Sequence, residues 1–245
     1  MIKKILSTML VSSVLFVFGS TTSIAFDRPT LAIGLGGAIG GFTASGHELE
    51  GAGSPQEKNT REASGEFGWT NIFVEIQDIG DRLTLGASWS ADDVDTNQEE
   101  RTDTLCSPGP VDDQGNARND CPVTGNAGTS TVEVALSNLV QGYAELRIYE
   151  GFFIKAGVME MDVETKENLH TDSQYPNTTL DGEMIGFGWR GSWDNGVFIK
   201  TETVKQDWKG VTLNATGATD TDNNTSVTLD SLSGVAASIS IGKAF

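Results

Sequence analysis

The last twelve residues of the chain constrain its fold more than any other segment. Val235, Ala237, Ile239, Ile241, Lys243 and Phe245 fall on one face of an extended strand, and Gly234, Ala236, Ser238, Ser240, Gly242 and Ala244 on the other. Successive side chains of a strand point to opposite faces, so one face is large and mostly apolar while the other carries only small residues. This is the pattern of a membrane β-strand. The bare aromatic residue at its tip suggests a cellular location as well as a fold.

The start of the chain suggests the same location. Lys3 and Lys4 form a short basic region, Ile5 to Phe18 is largely apolar, and Ser23-Ile24-Ala25 offers a small-x-small cleavage site. Together they read as a secretory signal peptide over residues 1–25. A membrane anchor would need about 20 predominantly apolar residues, whereas this stretch is interrupted by Ser12, Ser13, Gly19 and Ser20. Residues 26–245 then form one β domain. Without Lys3 and Lys4, 14 of the 16 basic residues face 34 acidic ones, and the formal charge goes from -18 to -20. Such a surface repels phosphate backbones and argues against nucleic acid as a partner.

No stretch sustains a 3.6-residue apolar period over three turns, while alternation with a period of two recurs in segments of about ten residues. The first segment places Leu31, Ile33, Leu35, Gly37 and Ile39 opposite small residues, and the second sets Ile72, Val74 and Ile76 against Phe73, Glu75 and Gln77. Leu83, Leu85, Ala87 and Trp89 mark the third. The fourth sets Val140, Ala144, Leu146 and Ile148 against Gln141, Tyr143, Glu145 and Arg147. Phe152, Ile154 and Val158 oppose Phe153 and Lys155 in the fifth, and Ile185, Phe187 and Trp189 oppose Gly186, Gly188 and Arg190 in the sixth. The seventh puts Val197, Ile199, Thr201 and Thr203 against Phe198, Lys200 and Glu202, and the eighth ends at Phe245.

Short turns join segments two to three (Asp78-Ile79-Gly80-Asp81), four to five (Tyr149-Glu150-Gly151) and six to seven (Asp194-Asn195-Gly196). The Asn-Gly pair in the last is a strong hairpin signal. The other connections, about 45–65, 92–131, 164–181 and 209–228, are long, polar and acidic. Short turns on one rim and long loops on the other is the plan of an all-β, closed, antiparallel up-and-down transmembrane β-barrel with short periplasmic turns and long extracellular loops. Eight strands are expected, or ten if 92–131 hides another pair. Closure is required because an open sheet edge in lipid leaves backbone groups unsatisfied. A soluble barrel of the lipocalin sort would instead turn the Leu, Ile and Phe faces inward.

Eight strands enclose a space that side chains alone can fill. Three acids and three bases, Glu75, Glu145, Arg147, Lys155, Lys200 and Glu202, lie on the inward faces within about six residues of a short turn, at about 3.3 Å per residue. They are expected to share one layer and to pair, since an unpaired charge there is costly. The competing reading of these six is a selectivity filter or gated conduit.

Other signals point to less. Cys106 and Cys121 lie in one long loop, and in an oxidising compartment they are expected to form a disulfide. They lack the partners and spacing of a metal site. The acidic loops, with Asp92, Asp93 and Asp95 in one and Asp220-Thr221-Asp222-Asn223-Asn224 in another, do not meet the EF-hand pattern and read as solvated loops. The glycine run from Gly34 to Gly41 continues as a strand, with no helix after it, and so is no dinucleotide loop. His47 beside Glu48, and His170 near Ser173, sit in no recognisable catalytic motif. No enzyme, cofactor or metal is expected.

The signal peptide, the eight amphipathic strands, the three short turns and the ending Ser238-Ile239-Ser240-Ile241-Gly242-Lys243-Ala244-Phe245 resemble the small outer-membrane barrels grouped as OmpA-type transmembrane domains, opacity-type porins and OmpW-like proteins. The stretch Asp207-Trp208-Lys209-Gly210-Val211-Thr212-Leu213 and the Gly-Lys-Ala-Phe ending also resemble small barrels of marine alphaproteobacteria and their phages. The resemblance implies the outer membrane of a Gram-negative bacterium and its lipid as surroundings. It also implies recognition of Phe245, Ile241 and Ile239 by the barrel-assembly machinery; Lys243 departs from the usual apolar residue. Two roles follow. One is a non-enzymatic structural or surface-recognition protein with a filled lumen, whose extracellular loops meet phage or a surface ligand. The alternative is a narrow porin or OmpW-like conduit for small molecules.

Overall fold

The computed structural model describes residues 29–50, 57–92, 94–95, 99–104, 127–168, 174–216 and 226–245. The expected signal peptide, Cys106 and Cys121, His170 and the Asp220–Asn224 run lie outside the described residues. The elements are β1 (Thr30–Glu50), β2 (Glu57–Ile79), β3 (Leu83–Ser90), β4 (Val94–Asp95), β5 (Glu99–Thr104), β6 (Ala127–Tyr149), β7 (Phe152–Asn168), β8 (Thr178–Ser192), β9 (Val197–Trp208), β10 (Val211–Asn214) and β11 (Ser226–Ala244). Among the described residues no helix is long and apolar enough to cross a membrane, a fact without bearing on strands.

The sheet runs β1-β2-β3-β6-β7-β8-β9-β11, every pairing antiparallel, and closes where β11 pairs back onto β1. The closing register sets Ala32 opposite Ala244, and the Phe245 amide donates to the Leu31 carbonyl at 2.9 Å. β4 and β5 prolong the line of β3 along β6, and β10 prolongs β9 along β11. The ring therefore has eight staves, and the described part of 92–131 extends existing staves rather than adding a pair.

At the short-turn end the backbone reverses where residues with positive φ allow it. Glu150 (φ 36) and Gly151 (φ 90) form a two-residue turn of the kind that suits strand twist. The expected Asn-Gly turn takes another form. Gly196 has a positive φ and Asn195 does not, while the Gly196 amide donates to the Trp193 carbonyl. Asp194, Asn195 and Gly196 thus make a three-residue loop, and the Asn195 side-chain oxygen accepts from the Val197 amide at 3.1 Å.

The exterior near this end is apolar. Ile185, Phe187, Ile239 and Phe245 are 62–72% exposed, and Leu31, Ile33, Leu35, Ile72, Ile154 and Ile241 join them. Water-soluble monomers rarely expose so extensive a contiguous apolar band. Val235 to Phe245 spans eleven residues, which at 3.3 Å per residue and a strand tilt near 45° gives a belt of about 25 Å, the height of a barrel's lipid-facing band. Tyr149, Phe152, Trp189, Trp193 and Phe245 crowd its lower edge as exposed aromatics, the residues that favour a membrane–water interface.

Beyond this belt the staves continue and their polarity reverses. β1 and β2 pair unbroken to Glu50 and Glu57, through what the alternation alone reads as a loop. Outward positions become Glu183, Lys205, Asp207 and Ser231, while Met161, Val163 and Leu180 pack inward with Val134, Leu136, Leu229 and Leu232. On β6 and β11 a β-bulge accompanies the switch, whereas β8 and β9 keep an unbroken register through it and change only the residue types on each face. On β6, Ser137 faces Asp162 and Val140 faces Glu160, three steps against two, with Asn138 at φ 53. The inserted residue flips the faces, so Leu136 comes opposite Val163 and joins it inside. On β11, Ser231 faces Ser45 and Leu229 faces Gly46, leaving Asp230 as the extra residue. Leu229 and Leu232, three apart, thereby reach the same cluster.

Candidate functional site

The lumen within the belt is filled from the bottom up. Phe73 on β2 and Phe198 on β9 lie 6.2 Å apart between ring centres and pack with Ala32 and Ala244. Each inward aromatic lies over a glycine of a neighbouring stave: Phe73 over Gly34, Phe198 over Gly242, Tyr143 over Gly86 and Phe153 over Gly188. A Cβ at any of these glycines would stand 2.2–2.4 Å from the ring. The glycines therefore make room for the rings.

Beside these rings runs a connected layer of charges. Lys200 Nζ donates to Glu75 Oε1 at 2.5 Å and to Glu145 Oε1 at 2.9 Å. Arg190 reaches the other oxygen of each carboxylate, Glu75 Oε2 at 2.8 Å and Glu145 Oε2 at 2.7 Å. Glu75 also accepts from the Tyr143 hydroxyl at 2.9 Å and from Gln77 Nε2 at 2.7 Å. Lys155 pairs with Glu202 at 2.8 Å, and its ammonium sits 3.9 Å from the centre of the Tyr143 ring. Arg190 lies over the ring of Phe198 at 5.1 Å. Five staves supply the layer, three carboxylates face three cations, and Glu75 is only 1% exposed. An isolated charge at this depth would be prohibitive, whereas a neutral, multiply hydrogen-bonded set is tolerable.

Of the six ionisable residues expected in this layer, the structure brings together Glu75, Glu145, Lys155, Lys200 and Glu202. Arg147 is the correction. It occupies the same face of β6 as Glu145 but lies two residues nearer the turn, at the open rim, where it pairs with Asp78 at 3.2 Å and donates to the Asp81 carbonyl. The third cation is Arg190 on β8, whose inward parity is visible in the alternation of Gly186, Gly188 and Arg190. Its height relative to Glu75 and Glu145 is not visible there, because strand tilt and stagger set it.

Above the layer lies a small polar cavity of about 20 Å³, lined in part by Glu202, Ser238 and Asn71. Glu202 Oε2 and Ser238 Oγ have no protein hydrogen-bond partner among the described residues. The space is that of about one water molecule.

Further out the lining becomes apolar. Phe42, Phe67 and Trp69 stack in sequence, with ring centres 6.1 and 4.7 Å apart and planes within 21°. They border a second cavity of about 80 Å³, bounded on the other side by Leu139, Met161 and Trp208.

The remaining expected residues lie apart from the lumen. Phe245, Ile241 and Ile239 point outward into the apolar belt, and Lys243 holds its ammonium 5.6 Å from the Phe245 ring centre. His47, near the long-loop end, pairs through Nδ1 with Asp230 at 2.8 Å. Among the described residues, no group of three or more His, Cys, Asp or Glu side chains could hold a metal ion. Asp92, just past β3, accepts from the Thr70 amide and from the Thr70 hydroxyl at 2.7 Å. These bonds, the backbone one foremost, hold its carboxyl below the ordinary aspartate value of 3.8.

No family model and no curated protein matches the chain. Among solved structures it is similar to the outer membrane protein OprG from Pseudomonas aeruginosa, at 10% identity and a TM-score of 0.49, covering 89% of this chain and 96% of that one. It is also similar to the outer membrane protease OmpT from Escherichia coli, at 8% identity and a TM-score of 0.42, covering 92% and 100%. Neisserial surface protein A matches at 10% identity and a TM-score of 0.31, covering 84% and 95%.

Proposed function

We propose that the chain is a non-enzymatic integral β-barrel of a Gram-negative outer membrane. Its lumen is closed to ions, and its role is structural or one of surface recognition through the long-loop end. The observation that carries this reading is the charge layer. Lys200 and Arg190 each bridge the same two buried carboxylates, and Lys155 and Glu202 complete a neutral set across five staves. A permeating ion would have to separate these buried ion pairs, and would leave charges uncompensated as it passed. The apolar belt supports membrane residence. Outward-facing Phe245, Ile241 and Ile239 suit recognition by the barrel-assembly machinery, and the long-loop rim is where phage or a surface ligand would meet the protein.

Single-channel recording of the purified chain in planar bilayers tests the closed lumen. Silence is expected for the wild type. Ohmic openings that vanish on changing Lys155 or Glu202 would sink the reading and favour the narrow porin or small-molecule conduit.

A further inference from the structure

We infer that Lys243 anchors a phospholipid headgroup site at the short-turn edge of the apolar belt, where its ammonium binds the phosphate of a glycerophospholipid. Three observations converge. The first is isolation. Lys243 is exposed and directed outward, with Ile241 and Phe245 on either side of it along β11, and with Ile33 on β1 and Val197 on β9 as its cross-strand neighbours. Alone among the described charged residues that face outward, it has apolar residues on all four sides. Its side chain forms no ion pair among the described residues, whereas Lys205, level with the upper edge of the belt, is paired with Asp207.

The second is direction. The Lys243 ammonium lies 5.6 Å from the centre of the Phe245 ring, so the side chain runs toward the short-turn end rather than toward the middle of the belt. One outward step along a strand tilted near 45° spans about 5 Å of depth. A lysine stem laid along apolar surface carries its charge that far to the headgroup level. The third is the surroundings. Phe245 is 72% exposed, and Trp193, whose amide donates to the Val197 carbonyl, is 55% exposed. Such aromatics mark the edge of the hydrocarbon. The anionic group of a phospholipid at this depth is its phosphate, and an ammonium, with three donors and no acceptor, matches it as a point charge. Because β11 closes the ring against β1, the contact ties the closing seam to its leaflet at a fixed depth. The inference rests on the membrane residence of the belt.

The full-length barrel would be folded into vesicles of phosphatidylcholine and of digalactosyldiacylglycerol with the same acyl chains, two bilayers without net charge that differ in the phosphate. In phosphatidylcholine, urea unfolding should show the wild type favoured over Lys243→Met by about fivefold in the folding equilibrium constant, with Lys243→Arg keeping the advantage. In the galactolipid the advantage should vanish. A second measurement holds even where Lys243→Met fails to insert. In barrels with isotope-labelled lysine ammonium nitrogens, the signal that Lys243→Arg removes should be dephased by lipid phosphorus in solid-state NMR. The inference is overturned by equal stability of wild type and Lys243→Met in phosphatidylcholine, by an advantage that persists in the galactolipid, or by a Lys243 signal untouched by lipid phosphorus. It is overturned too if inorganic phosphate added to the galactolipid vesicles restores the advantage, since the site would then serve free anions. Failure of the wild type to insert into either bilayer would instead refute the membrane reading itself, and the headgroup site with it.

Discussion

Two arginines on inward faces near the short-turn end have opposite energetic standing, and the difference is one of surroundings. Arg190 bridges Glu75 and Glu145 inside the belt, while Arg147 pairs at the rim with Asp78, both about 45% exposed. Arg190→Met would leave two buried carboxylates sharing Lys200 alone, a loss of about 3–5 kcal/mol, since a broken buried pair strands a charge. Arg147→Met should cost at most about 1 kcal/mol, because solvent screens the rim pair. Urea unfolding in lipid vesicles, followed by tryptophan emission, would measure both; equal losses would refute the assignment of Arg190 to the layer. A smaller residue-scale effect belongs to Gly86. The added methyl of Gly86→Ala would meet the Tyr143 ring at 2.4 Å and push its hydroxyl from Glu75. About 1–3 kcal/mol is expected from the overpacking.

Along each stave, the part within the belt is legible from alternation alone and the part beyond it is not. Leu146, Ala144 and Val140 keep strict parity on β6, but the bulge at Asn138 reverses it, so Leu136 and Val134 face inward although their parity points outward. Outward residues there are polar because water surrounds them, which erases the cue that marks the lower halves as strands. A one-residue insertion has no hydrophobic signature, and only the left-handed tolerance of asparagine hints at it. Arg190 was hidden for a related reason: parity tells which way a side chain points, but not its height in a sheared barrel. Asn138→Val should therefore destabilise by about 1–3 kcal/mol, since a β-branched residue resists φ 53, whereas Asn138→Gly should be neutral or nearly so. Asp92 offers an element-scale test in pH. Its carboxyl is held below 3.8 by the Thr70 bonds, so the tie between the end of β3 and β2 is complete above that value and is lost as pH falls through the lower folded one. The protection factor of the Thr70 amide, its exchange rate relative to the intrinsic rate at the same pH, should fall in acid. Asp92→Ala should lower it already at neutral pH, and an unprotected Thr70 in the wild type at pH 7 would contradict the tie.

The molecule as a whole is two barrels of opposite polarity stacked on one set of staves. The lower is apolar outside and charged within, and the upper is polar outside and apolar within. One continuous hydrogen-bonded sheet serves both, because the backbone ladder is indifferent to which face is wet: a single-residue bulge exchanges the faces on β6 and β11, and a change of residue type at constant parity does so on β8 and β9. The boundary between them marks where hydrocarbon gives way to water, and it can be located by substitution. Ile239 and Phe187 lie in the belt, whereas Glu183 lies two outward positions above Phe187 on the same stave and Lys205 lies level with the belt's upper edge, paired with Ile185 and Val235. Ile239→Arg or Phe187→Arg should each cost about 2–4 kcal/mol in lipid, the price of a charge near the midplane of a barrel's exterior. Arg in place of Glu183 should change stability by no more than about 0.5 kcal/mol, as for an ordinary surface position. The same three variants and the wild type, unfolded from detergent micelles, should show compressed differences, because a micelle deforms around a charge more readily than a bilayer. Equal tolerance of Arg at positions 239 and 183 in vesicles would mean that the apolar belt does not face lipid, and the membrane reading of the whole barrel would fall with it.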